Sequence, residues 1–77
     1  MADRTISLFF GAVVRKHRTA KGLSQEALAE KASIHHTTVG LIERGERGAG
    51  LDVAYRVARA LGFTLSALIA EAEKHRR

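Results

Sequence analysis

The chain has no cysteine, no proline and no tryptophan, and its 77 residues include only three phenylalanines and one tyrosine. Without cysteine there is no disulfide, no thiolate metal ligand and no cysteine nucleophile, a pattern that suits a reducing compartment. Without proline, the breaks between elements must be made by glycine and small polar residues. No apolar run approaches the roughly 18 residues of a membrane span, and the N-terminus lacks the basic-then-apolar order of a signal peptide. A soluble, cytoplasmic protein with no membrane partner is the expectation. A chain this short makes one small domain, expected over residues 1–77, and buries only about 60% of its unfolded surface. Oligomerisation is then the remaining way to add stability.

What is present is positive charge. Thirteen Lys and Arg face eight Asp and Glu, a net charge of +5 and a pI near 10.5. For this size, that balance points to a polyanion partner, with nucleic acid the first candidate.

Apolar periodicity and capping residues divide the chain into five helical pieces, with no strand-like alternation. The first is expected from about Ser7 to Ala20, with Phe10 and Val14 on one face, Phe9 and Val13 on the next, and Lys21-Gly22 as its stop. The second begins at the capping residue Ser24, with Glu26 near the positive end of the helix dipole, and ends near Ala32. The fourth covers about Leu51 to Leu61, with Leu51, Ala54, Val57, Ala58 and Leu61 on one face. The fifth starts at the capping residue Thr64, with Leu65 and Leu68 directed inward. The first five or so residues and the last four are expected to fray.

The third piece lies in HHTTVGLIERG, residues 35–45. Its opening residues cost roughly 3–4 kcal/mol of helix propensity relative to alanine. Val39 and Ile42, three apart, still give it an inward face, which turns Leu41 outward. The second and third pieces abut through Ser33 and Ile34, the shape of a helix-turn-helix.

The string GLSQEALAEKASIHHTTVGLIERGERG, followed by RVARALGFTLSAL, resembles the Xre family of helix-turn-helix proteins, which includes the phage repressors and Cro. Within it the chain is most similar to small stand-alone regulators such as the controller proteins of restriction-modification systems. The resemblance spans about Phe10 to Leu68. It implies an all-α fold of five helices like the lambda repressor domain, and a sequence-specific transcription regulator that binds a double-stranded DNA operator as a homodimer. Helix three, about residues 35–44, would lie in the major groove, with His36, Thr37, Gly40 and Leu41 at the bases. Gln25, Arg44 and Arg47 would hold phosphates, with His35 and Thr38 at the margin and Lys31 in support. Arg18 and Glu43 match a pair that joins helices one and three in relatives. The chain departs from the family pattern at Ser33 (most often Gly), at His35 in the cap, at His17 before the arginine, and in the proline-free loop GERGAG.

Helix five carries more apolar surface than so small a core can cover, so Phe63, Ile69 and Ala72 are assigned to a dimer interface. A metal site is not expected, because adjacent histidines such as His35 and His36 diverge on a helix and zinc needs several converging ligands. No cofactor is implied. Nor does an enzyme fit, since no Ser-His-acid spacing, carboxylate pair or phosphate-cradling glycine loop is legible. The competing reading is an antitoxin or protein-interaction module on the same fold, with a protein rather than DNA as partner.

Overall fold

The computed structural model describes residues 5–75, and every regular element among them is helical. The helices are α1 (Thr5–Ala20), α2 (Gln25–Ala32), α3 (His36–Glu43), α4 (Leu51–Ala60) and α5 (Leu65–His75). The fold is all-α. The expected frayed ends at residues 1–4 and 76–77 lie outside the described residues. Thr5, Lys74 and His75, also assigned to fraying, are helical instead.

Local chemistry accounts for most boundaries. Ser24 Oγ accepts from the Ala27 N–H at 3.0 Å, and Thr64 Oγ1 accepts from the Ala67 N–H at 3.1 Å, each satisfying a donor the helix leaves unpaired. The α2–α3 turn closes with Ser33 N–H on the Glu30 carbonyl and Ile34 N–H on that of Ala29. That pairing is the Schellman arrangement, and it requires a left-handed residue, here Ser33 at φ 59°. The end of α3 repeats it with Gly45 at φ 71°. A Cβ at Gly45 would also lie 2.2 Å from the Leu8 side chain, so glycine is required there twice over.

The core is built from Phe10, Val13 and Val14 of α1, Leu28 of α2, Val39 and Ile42 of α3, Val57 and Leu61 from α4 and its cap, and Leu68 of α5, with alanines between them. Val39 and Ile42 are 1% and 2% exposed, and this burial offsets the poor helix propensity of their segment. Two assignments are corrected by the packing. Leu51 is 77% exposed, because it is the first residue of α4 and its turn extends past the core that Ala54 begins. Ala72 is wholly buried against the other helices and is therefore unavailable as an interface residue. A methyl group is small enough for α5 to lie close, and that closeness buries it.

One contact sets where α3 sits. A Cβ on Gly11 would stand 2.0 Å from the Ile42 carbonyl oxygen and 3.0 Å from that of Glu43. The middle of α1 thus rests directly on the backbone of the last turn of α3. Seven residues on, two helical turns along the same face, comes Arg18.

Candidate nucleic-acid interface

Arg18 meets α3 at its end. Its Nε donates to Glu43 Oε2 at 2.6 Å and its Nη2 to Oε1 at 3.0 Å, a two-point fork, while Nη1 donates to the Leu23 carbonyl at 2.8 Å. The side chains are only 12% and 3% exposed. The hydrogen bond with Glu43 raises the Arg18 guanidinium further above its ordinary value. A pair so dry contributes little net stability but fixes geometry, here the position of α3 against α1 and the α1–α2 turn.

Glu43 has a third partner. Gln25, the first residue of α2, donates from Nε2 to Glu43 Oε1 at 3.1 Å. Its amide is thereby held across the end of α3 instead of waving in solvent. Arg44, next in the chain, is 55% exposed and donates from Nε to Glu46 Oε2 at 2.9 Å. Gln25 and Arg44 come together over Gly40, whose position differs from the sequence expectation. Gly40 is buried beneath these two side chains rather than facing outward.

The N-terminal turn of α3 is open. His36 and Thr37 are exposed, Thr38 and Leu41 are half-buried, and Arg47 stands exposed in the following loop. His35 is the N-cap, its Nδ1 accepting from the Thr37 N–H at 3.1 Å. The imidazoles of His35 and His36 do not diverge. They stack with centroids 4.6 Å apart and planes 25° from parallel, because the cap residue lies outside the helical path and folds back over the first turn. Accepting through Nδ1 requires that nitrogen to be unprotonated, so the bond selects the tautomer with its proton on Nε2. This side of the molecule therefore offers hydroxyl, imidazole, amide and guanidinium groups within and around one short helix.

Of the residues assigned to a dimer interface, Ala72 is buried, while Phe63 and Ile69 are half-buried. Phe63 packs against the His17 ring at 4.4 Å, whereas Ile69 borders a small apolar groove with Ile6, Phe10, Ala49 and Ala54. His17 itself faces Glu71 of α5, with Nε2 2.8 Å from Oε1, and Lys16 donates to the other carboxylate oxygen. The hydrogen bond with His17, then that from Lys16, holds the Glu71 carboxyl down at about 2. Nothing local in the sequence signals this bridge, since its partners are 54 residues apart. Gly11 was equally silent, although a glycine mid-helix two turns before a buried arginine carries a hint of close approach.

Comparison with known proteins gives this surface its context. The helix-turn-helix family model (HTH_3) matches residues 14–68, which takes in α2, α3 and α4 completely. The control protein C.BamHI of Bacillus amyloliquefaciens is 43% identical over 58 residues, 74% of this chain and 72% of the relative. The crystal structure of the restriction-modification controller protein C.AhdI from Aeromonas hydrophila superposes with a TM-score of 0.77 at 40% identity. That match covers 80% of this chain and 94% of the other. ClgR, a clp gene regulator from Corynebacterium glutamicum, reaches a TM-score of 0.87 at 25% identity over 92% of this chain and 76% of its own. All three are named for control or regulation, and none for a catalysed reaction. The chain belongs to the helix-turn-helix family of DNA-binding transcription regulators.

Proposed function

We propose that this protein binds a specific operator in double-stranded DNA as a homodimer and thereby regulates transcription, with α3 in the major groove. The observation that carries this reading is the arrangement along α3: an open first turn with His36 and Thr37, and, over Gly40 one turn on, Gln25 and Arg44. Net positive charge supports it, because phosphate neutralisation supplies most of the sequence-independent affinity of such proteins. His36 can donate to a guanine edge, and Thr37 offers both a hydroxyl and a methyl. Leu41, half-buried, keeps enough surface to meet a thymine methyl. Gln25, Arg44 and Arg47 hold phosphates, with His35 and Thr38 beside them. Acting on DNA, the protein works in the cytoplasm.

The dimer would use the apolar groove beside Ile69, bordered by Ile6 and Ala49, rather than Ala72. Its two recognition helices would then read half-sites about one duplex turn, or 34 Å, apart. Selection of duplexes from a random pool tests both parts, since it returns the half-site and its spacing. Two half-sites in inverted order are the expected result. Recovery of no enriched sequence, or binding that does not weaken as salt rises, would sink the reading. A protein that co-purifies in place of DNA would favour an interaction module instead.

A further inference from the structure

Neither helix propensity nor core packing accounts for Gly40. A glycine in a helix interior is unfavourable, and its φ lies outside the left-handed region that glycine alone tolerates well. Nor does any backbone or core side chain press on it, as the Ile42 carbonyl presses on Gly11. The atoms nearest its absent Cβ are the polar tips of two long side chains: Arg44 Nη1 at 3.1 Å, then Gln25 Oε1 at 3.5 Å and Nε2 at 3.7 Å. The two donors among them, Arg44 Nη1 and Gln25 Nε2, therefore lie within about 6.8 Å of each other. One phosphate group can accept from both.

We propose that Gly40 is a positioning residue: its bare Cα is the seat on which the Gln25 amide and the Arg44 guanidinium close over α3 to grip a single DNA phosphate together. The inference rests on the DNA-binding reading above and adds how its phosphate contact is prepared. Each donor is held by one bond and keeps another free. Gln25 Nε2 donates to Glu43, which Arg18 fixes in turn, and its second N–H is spent on no described residue. Arg44 is braced by Glu46 through Nε, leaving Nη1 over the seat. Glu46 is 56% exposed, so the approach of a phosphate displaces only a surface pair. Ordering two donors before contact removes an entropic cost that free side chains would meet on binding.

A side chain at position 40 would obstruct this closure in graded fashion. Alanine requires Arg44 to yield by a few tenths of an ångström, whereas leucine fills the seat. Both are better helix formers than glycine. Stability and DNA affinity should therefore move in opposite directions, a signature that a merely structural role does not produce.

The test uses the full chain with Gly40→Ala and Gly40→Leu, read by fluorescence anisotropy across a salt series and by thermal unfolding. The probes are a duplex recovered from the random pool by the unsubstituted chain and a duplex of the same length and random sequence. Expected are unfolding temperatures no lower than that of the parent, with affinity falling slightly for Ala and about tenfold for Leu on both duplexes. The slope of log affinity against log salt should shrink by about one, the mark of one lost phosphate contact. In a chain carrying Gln25→Ala and Arg44→Ala, Gly40→Leu should cost nothing more. Parent-like binding by Gly40→Leu overturns the proposal alone, as does a loss that persists in that background. An unfolding temperature lowered by Gly40→Ala also overturns it, by making the glycine structural. Failure of the parent to bind either duplex removes the DNA-binding reading itself, and the seat with it.

Discussion

Arg18 and Glu43 are joined by a two-point hydrogen-bonded ion pair, at 2.6 and 3.0 Å, beneath the end of α3. Breaking it leaves one buried charge without its partner. Arg18→Ala should therefore destabilise the fold by about 3 kcal/mol, measured by urea unfolding. Arg18→Met with Glu43→Leu should recover much of that loss while weakening DNA binding, because Gln25 then has nothing to hold it. If the double variant is as unstable as the single one, the pair is not the source of the cost.

Gly11 should tolerate no side chain. An alanine Cβ 2.0 Å from the Ile42 carbonyl cannot be relieved by rotating a side chain, since the obstacle is backbone. Gly11→Ala should cost about 2–3 kcal/mol, the scale of an overpacked core, despite its better helix propensity. Gly50→Ala, with nothing within 4 Å of its Cβ, is the control. Equal unfolding midpoints for the two variants would contradict the close approach of α1 to α3.

Ser33 is the only non-glycine residue with positive φ among the described residues. A left-handed conformation costs an ordinary L-residue roughly 1–2 kcal/mol, part of which Gly regains while losing some through its freer unfolded chain. Ser33→Gly should stabilise the protein by about 0.5–1 kcal/mol and leave DNA affinity unchanged. A lower unfolding midpoint would mean that the serine hydroxyl does more for the turn than its backbone strain takes away.

The Glu71 carboxyl, ordinarily near 4.5, is held at about 2 by His17 and Lys16. Between those values the unfolded chain binds a proton that the folded chain does not, so stability rises with pH across that window. The contribution is complete above about pH 5 and is lost as pH falls toward 2. Its size is about 1 kcal/mol, discounted for solvent around the pair. Glu71→Gln should flatten the acid limb of the stability curve, and thermal unfolding at pH 3 and pH 7 would show it. An acid limb as steep as the parent's would assign that sensitivity to other carboxylates.

How much of this was legible in sequence depends on the range of the interaction. Helix order, the caps at Ser24 and Thr64 and the inward pair Val39–Ile42 follow from neighbours within one or two turns. The Arg18–Glu43 pair is legible only through the family resemblance, since 25 residues separate its members and exposure is the commoner fate of each type. The positions of Leu51 and Ala72 differ from their apolar spacing for one reason. Apolar spacing tells which side of a helix is greasy, but it does not tell how far the neighbouring helices extend or how closely they lie.

By itself, then, the sequence determined the order of the five helices, the caps at Ser24 and Thr64 and the family the chain belongs to, because periodicity, capping and motif are local. Tertiary structure alone decided that Gly11 lets α1 touch α3, that His17 reaches Glu71, and that Gly40 lies beneath Gln25 and Arg44. Each of these depends on the distance between two helix axes. That distance is set jointly by all the side chains packed between them, and no single segment encodes it.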